Sequence, residues 1–187
     1  RSFAATFFLL SILTQAFSQA QSWDLQTLDS DASGLTLEFS LRDYTLENGT
    51  FEIASTAHAA EPGQPALPAL SELIALPMGC DFRVEILQEE IEILEGVQID
   101  AQEAWQSDRL DAVRAEVLPD ASLYATDAFW PSASAELGAP ALWHGTRVIG
   151  LTLYPAAWNP VTKQLKLRRR LSLRVHFYGT NPQATLA

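Results

Sequence analysis

The sequence predicts an all-β fold, a two-sheet antiparallel β-sandwich of jelly-roll-like form, and three observations carry that prediction. Leu165, Leu167, Leu171, Leu173, Val175 and Phe177 occupy odd positions, while Lys166, Arg168, Arg170, Ser172, Arg174 and His176 occupy even ones. A period of two puts one face of a strand in a core and the other in water. Short runs of similar character recur through the chain with turn residues between them, the spacing of a sandwich. Finally, Asn48-Gly49 joins two such runs, and both residues tolerate the positive φ of a two-residue hairpin turn.

Taken in order, the elements begin with a leader. Residues 3–13 are apolar except for Thr6 and Ser11, and Ser18-Gln19-Ala20 follows, with small residues at both specificity positions of a signal-peptidase site. Cleavage after Ala20 is expected, so that the mature domain begins at Gln21. The run is shorter than the roughly 20 residues a bilayer needs, which favours a signal peptide at 1–20 over an anchor. Arg1 stands where an initiator Met is expected, so the chain is expected to begin inside its reading frame.

Residues 21–187 are long enough for one domain with a core. Leu35, Leu37, Phe39 and Leu41 alternate with polar residues, and residues 44–47 and 50–53 flank the Asn48-Gly49 turn. After a loop with Pro62, Pro65 and Pro68 come strands at 70–76, at 82–87, and at 90–94 and 97–99 around Glu95-Gly96. Residues 101–117 differ: Ala, Gln, Glu and Arg dominate, with Trp105 the only aromatic. Such an excursion can hold a short helix, and a long connection between strands is also where functional loops sit. Two extended strands, 145–154 and 163–178, close the chain around an Asn-Pro turn at 155–162. Arg169 breaks the alternation of the last strand and predicts a bulge or bend.

The chain carries 12 basic and 23 acidic residues, a net charge of −11, and of the basic residues only Arg1 lies in the leader, leaving 11 − 23 = −12. Every carboxylate side chain lies at or before Glu136, whereas Arg147, Lys163, Lys166, Arg168, Arg169, Arg170 and Arg174 follow it. Two readings stay open. The basic face of the last strand pairs with acidic strands at 83–100 within the domain, or it meets an external acidic partner. A nucleic-acid partner is disfavoured, because the acidic chain would oppose phosphate.

The side-chain chemistry points away from catalysis. Cys80 is the single cysteine, so it forms no intramolecular disulfide, and its place in a Pro-Met-Gly-Cys turn favours a structural thiol over a nucleophile based on His58, His144 or His176. Those histidines lack metal-ligand spacing, and Glu89-Glu90-Ile91-Glu92 alternates as a solvated strand face rather than a calcium site. No metal or cofactor is expected.

Five segments carry a family resemblance: Pro62-Gly63-Gln64-Pro65-Ala66-Leu67-Pro68, Ala75-Leu76-Pro77, Phe129-Trp130-Pro131, Leu137-Gly138-Ala139-Pro140, and the stretch from Trp158-Asn159-Pro160 to Leu165. In this order, before a long alternating strand, they resemble the N-terminal propeptide domain of gingipain-type cysteine peptidases. The resemblance runs from about Leu35 to Phe177. It implies an exported, secreted or cell-surface precursor in which this sandwich precedes a caspase-like catalytic domain, in bacteria using type IX secretion. The family's catalytic His-Cys pair is expected beyond Ala187, so these residues are expected not to be an enzyme, whereas the full precursor is a cysteine-type endopeptidase. The implied partner is that catalytic domain, in cis, which the propeptide keeps latent and helps to fold.

In the related propeptides a loop between strands occludes the cleft and places a basic side chain in the specificity pocket. The corresponding excursion here is 101–120, with Arg109 and Arg114 as candidates and Arg109 nearer the expected place. A guanidinium suits such a pocket because it forms a bidentate pair with a carboxylate. The plainer alternative pairs Arg109 locally with Asp108, Asp111 or Glu116. A different function class also stands: an exported binding module for surface glycan, with Trp105, Trp130, Trp143 and Trp158 as stacking platforms.

Overall fold

The computed structural model describes residues 21–58, 60–106, 113–115 and 117–179. In chain order the strands are β1 (Trp23–Asp31), β2 (Gly34–Leu41), β3 (Thr45–Glu47), β4 (Thr50–Glu52), β5 (Ala57–His58), β6 (Pro68–Ala75) and β7 (Asp81–Leu94). They continue with β8 (Ala104–Gln106), β9 (Val113–Ala115), the helix α1 (Ala121–Tyr124), β10 (Ala135–Trp143), β11 (Thr146–Leu153), β12 (Ala156–Asn159) and β13 (Gln164–Tyr178). The leader residues 3–13, the proposed junction residue Ala20, and Arg109 lie outside the described residues.

β13 is the spine of a five-stranded sheet. Along one edge it pairs with β7 from Leu165 to Tyr178. It pairs also with β12 through Leu165 and Leu167, and with β2 through residues 170–176; β1 adds outside β2. The second sheet has the order β10-β11-β6-β5, and β3-β4 and β8-β9 are separate hairpins. All the pairings are antiparallel. Phe39 of β2, Ile149 and Leu151 of β11, and Leu171, Leu173 and Val175 of β13 are fully buried in one continuous core. Each such side chain contributes roughly 1.5–3 kcal/mol, and a one-residue slip of β13 would forfeit the whole set.

The odd-position rule holds along β13: Leu165, Leu167, Leu171, Leu173 and Val175 are buried, and Phe177 is half-buried. The predicted irregularity is a bulge, because Arg168 stands opposite Ile91 and Arg170 opposite Glu90, leaving Arg169 without an opposite residue. Below it Leu165 and Leu167 face Trp158 and Ala156 of β12. Above it Leu171 and Leu173 face Phe39 and Leu37 of β2. The Asn48-Gly49 hairpin also forms, with φ of 49° and 84° at its two central residues.

Four expectations need correction. The segments at 82–87 and 90–94 are one strand, β7, in which Leu87 is an extra residue between the pairs Ser172–Gln88 and Leu173–Ile86; this bulge interrupts the alternation and looks like a strand end. The turn at 155–162 is shorter than expected because it contains β12. Residues 101–117 hold no helix among the described residues but the β8–β9 pair, and the only nearby helical turn is α1. Strands β1 and β10 were not anticipated.

The charge question resolves inward. Arg168 Nε reaches Glu89 Oε1 at 3.1 Å, Arg169 Nε reaches Glu92 Oε2 at 2.6 Å, and Arg170 lies 3.8 Å from Glu38 and 4.0 Å from Glu90. Arg174 meets Asp29 and Asp31, and His176 Nε2 lies 2.6 Å from Glu85. The basic strand is therefore matched by β1, β2 and β7 within the sandwich. Cys80 is buried and its thiol donates to the Pro77 carbonyl at 3.1 Å, as a structural thiol would. No helix among the described residues is long and apolar enough to cross a membrane.

Candidate functional site

The excursion is held at its root by the segment that the sequence marks with glycine and proline. Gly63 N donates to Gln102 O at 2.9 Å, Gln102 N to Gln64 O at 2.6 Å, and Ala66 N to Asp100 O at 2.9 Å. Pro65 and Ala101 form an antiparallel bridge. On the returning side, Asp120 N donates to Gly63 O at 2.9 Å. The single residue Gly63 thus bonds both the outgoing and the incoming limb. It sits at φ +90°, and a Cβ there would lie 3.0 Å from Leu118 O, so this close double contact requires glycine.

Two further contacts fix the outgoing limb. Asp100 N donates to Gly49 O at 2.9 Å, which ties the excursion to the β3–β4 turn. Gly49 has φ +84°, and a Cβ would stand 2.6 Å from the Asp100 carboxylate. His58 Nδ1 lies 2.8 Å from Gln102 Oε1. Farther back, Trp158 Nε1 donates to Val97 O at 2.9 Å and Val97 N to Lys163 O at 2.8 Å, so the approach from β7 is fastened to the core.

On the returning limb Asp120 caps α1. Its carboxylate accepts from Ser122 Oγ at 2.7 Å, Ser122 N at 2.9 Å and Leu123 N at 3.2 Å, the standard use of an Asp before a helical turn. The Ser122 hydroxyl first, then the Leu123 and Ser122 amides, hold the Asp120 carboxyl below its ordinary range. Tyr124 packs its ring edge on Trp158, centroids 5.5 Å apart. Burial, with a smaller effect from the Asp100 charge, pushes its phenol up to about 12.

Between these anchors, β8 and β9 pair with Trp105 opposite Arg114. Arg114 therefore lies on the returning strand of the hairpin. Arg109 belongs to the segment joining the two strands and lies outside the described residues. Gln21 is described and exposed, immediately before β1. Of the tryptophans considered as stacking platforms, Trp158 is fully buried and cannot serve. Trp130 is half-buried and bridges backbone to backbone with Trp158, while Trp143 is 58% exposed at the far end of β10. These positions do not form one platform.

Of the residues that root the hairpin, Asp100 and Gln102 were not singled out by sequence reasoning, and Gly49 and Gly63 entered it only as residues of a turn and of a motif. Their partners are far apart in sequence, and only the Pro62–Pro68 string signalled that the segment matters. Among the described residues no group of His, Cys, Asp and Glu is placed to hold a metal ion. The arrangement presents a hairpin from a fixed base.

Comparison with known proteins places this geometry. The chain is 28% identical over 163 residues to Lys-gingipain of Porphyromonas gingivalis and, to the same degree, to Lys-gingipain W83 of that organism; the alignment covers 83% of this chain. It spans only about a tenth of the length of those relatives. Its fold is similar to that in the complex of the P. gingivalis RgpB pro- and mature domains, with a TM-score of 0.73 and 21% identity, covering 84% of this chain and 87% of that one. A structure described as giving insight into the zymogenic latency of P. gingivalis gingipain K matches with a TM-score of 0.68 and 19% identity, covering 86% and 95% of the two chains. The family model Propeptide_C25 matches residues 20–187, and the chain belongs to that propeptide family.

Proposed function

We propose that this domain is the latency propeptide of an exported gingipain-like cysteine endopeptidase, and that it works by laying the 101–120 hairpin over the cleft of a peptidase domain in the same precursor. The observation that carries the reading is the doubly bonded root at Gly63. A segment that must block a cleft without being cleaved loses less entropy on binding if its ends are already fixed, and here both ends are hydrogen-bonded to one residue. Arg109 is the side chain assigned to the specificity pocket and Arg114 is a supporting charge on the hairpin strand. The same fixed base gives the peptidase domain a surface on which to fold.

Residues 1–20 act as the signal peptide in this proposal, with cleavage between Ala20 and Gln21 and export, by type IX secretion, to the cell surface or medium. The membership in the Propeptide_C25 family and the apolar run at 3–13 support it.

The test is inhibition in trans. The domain from Gln21, added to the separately produced peptidase domain of its own precursor, should give saturable inhibition, and N-terminal sequencing of exported precursor should begin at Gln21. Absence of inhibition by a folded domain would reject the latency role, and a retained leader would reject the processing step.

A further inference from the structure

We propose that the niche beside the hairpin root, walled by Trp130, Tyr154 and Glu136, is a binding site for an arginine side chain carried by a peptide. The site is separate from Arg109 and Arg114, and it does not depend on the latency reading.

The niche has a volume of about 270 Å³, and Gln64, Leu67, Trp130, Ser132, Glu136 and Tyr154 are among the residues that line it. That is room for one long side chain, below the roughly 300–1,000 Å³ of a pocket for a drug-sized ligand. Its walls are fixed before anything binds. Trp130 N donates to Trp158 O at 2.9 Å, and Trp130 O accepts from Trp158 N at 2.8 Å. Tyr154 N donates to Ser134 O at 2.9 Å, and Tyr154 O accepts from Arg168 Nη1 at 2.9 Å. Gln64 N donates to Glu61 O at 3.0 Å, while Gln64 Oε1 accepts from Glu61 N at 2.9 Å. Glu136 is held in β10 opposite Thr152. Walls pinned in this way have little freedom left to lose on binding.

The polar groups left over select the ligand. The Tyr154 hydroxyl donates to Glu136 Oε2 at 3.1 Å, which steadies the carboxylate and leaves it acceptor-only. Burial first, then the bond to Glu136 and its charge, push the Tyr154 phenol up, so the phenol keeps its proton near neutral pH. Among the described residues no cation pairs with Glu136, whereas Glu38, Glu85, Glu89, Glu90 and Glu92 each meet a basic side chain of β13. Arg168, which bonds the Tyr154 carbonyl, is itself matched by Glu89. An uncompensated carboxylate alone is a solvated surface group; what makes a site here is its place in a fixed niche with an indole and a phenol. Such rings attract a cation through their electron-rich faces, and the carboxylate adds a charged hydrogen bond. The adjacent Phe129 shows the same attraction within the chain, with Lys166 Nζ 4.2 Å from its ring centre. A guanidinium suits the niche better than an ammonium, because it is planar, stacks on rings and can reach a carboxylate with two donors. The peptide follows from Gln64: with its oxygen occupied by Glu61 N, its amide N–H groups are left for a backbone carbonyl. A neutral sugar would use the rings and leave the charge of Glu136 unanswered.

The experiment is a chemical-shift titration of the chain with N-acetyl-arginine amide, followed at the Trp130 indole N–H and at the backbone amides of Gln64, Ser132 and Glu136. Those signals should move together and saturate. N-acetyl-lysine amide should bind more weakly, and N-acetyl-citrulline amide, the neutral isostere, should leave the signals in place. Glu136→Gln, at an exposed residue, should raise Kd roughly fivefold or more, whereas Glu52→Gln, at another exposed carboxylate, should leave it unchanged. An equal response to the citrulline probe overturns the proposal, because the charge then plays no part. A response to N-acetylglucosamine without one to the arginine probe makes the niche a sugar site and overturns it as well. So do shifts that fail to saturate and appear equally around Glu52, which mean unspecific attraction to an acidic chain. The citrulline comparison needs no variant, so a misfolded Glu136→Gln does not remove the test. No peptidase enters the titration, so its failure leaves the latency reading standing, and absence of inhibition in trans leaves this site standing.

Discussion

Arg168 Nε and Glu89 Oε1 lie 3.1 Å apart and join the two longest strands among the described residues beside the bulge at Arg169. The guanidinium is 3% exposed, donates a second bond from Nη1 to Tyr154 O at 2.9 Å, and shares Glu89 with the Ser134 hydroxyl. Burial lowers the pKa of Arg168, and the attraction of Glu89 opposes that shift.

Glu89→Ala should therefore be among the more damaging single changes in the sandwich. It strands a buried cation with one carbonyl, and breaking a buried pair in this way costs about 3–5 kcal/mol, the lower end applying because the Glu89 side chain is a quarter exposed. Asp24→Ala removes an ion pair to Arg42 whose guanidinium side is 57% exposed and should cost less than about 1 kcal/mol. Urea unfolding of both variants compares the two, and equal losses would contradict the burial argument.

Gly63→Ala tests the root of the hairpin. With φ at +90° and Leu118 O 3.0 Å from the new methyl group, the substitution should cost roughly 1–3 kcal/mol by strain. Inhibition of the peptidase should weaken along with stability. Gly145→Ala, also at positive φ but with nothing near the added Cβ, should lower stability by backbone strain and leave inhibition by the folded fraction unchanged.

Tyr124→Phe tests the buried phenol. Its hydroxyl has no hydrogen-bond partner among the described residues, so deleting it should be neutral or stabilising near neutral pH. The phenol titrates at about 12 in the folded protein against 10.0 for the ordinary group. An acid with a raised folded pKa binds its proton more tightly when folded, so its contribution is complete below pH 10 and is lost as pH rises from 10 through 12. Melting temperatures across that window should fall less steeply for Tyr124→Phe than for the wild type, and parallel curves would refute the assignment.

The fold was legible where a strand has one buried face. β13 and β2 alternate cleanly, and even the bulge at Arg169 is visible as a charge out of phase. The strands that escaped have other physical habits. All four residues of β12 are buried, so no alternation marks it. Gly138 and Pro140 make β10 resemble a loop, although an edge strand accepts both. Ala, Gln and Arg in β8 and β9 are helix formers, and hairpin pairing overrides that weak preference. The hairpin itself was legible as an excursion. Its root was not, because the demand on Gly63 comes from Gln102 and Asp120, about 40 and 57 positions away in a chain whose folding alone brings them together.

Arg109 and Arg114 separate two ways in which the hairpin could act. Arg114 stands on β9 opposite Trp105, whereas Arg109 belongs to the segment between the strands. If a guanidinium enters a desolvated specificity pocket, its truncation removes a charged, hydrogen-bonded pair and costs roughly 2–5 kcal/mol, while an Arg at the rim costs little. Arg109→Ala should therefore raise the inhibition constant at least tenfold more than Arg114→Ala does, a factor of ten corresponding to about 1.4 kcal/mol. Arg109→Lys should recover part of the loss, since the charge returns without the bidentate fork. Small and equal effects at both positions would reject the pocket role for Arg109 and shift the weight of inhibition to backbone occlusion by the rooted hairpin.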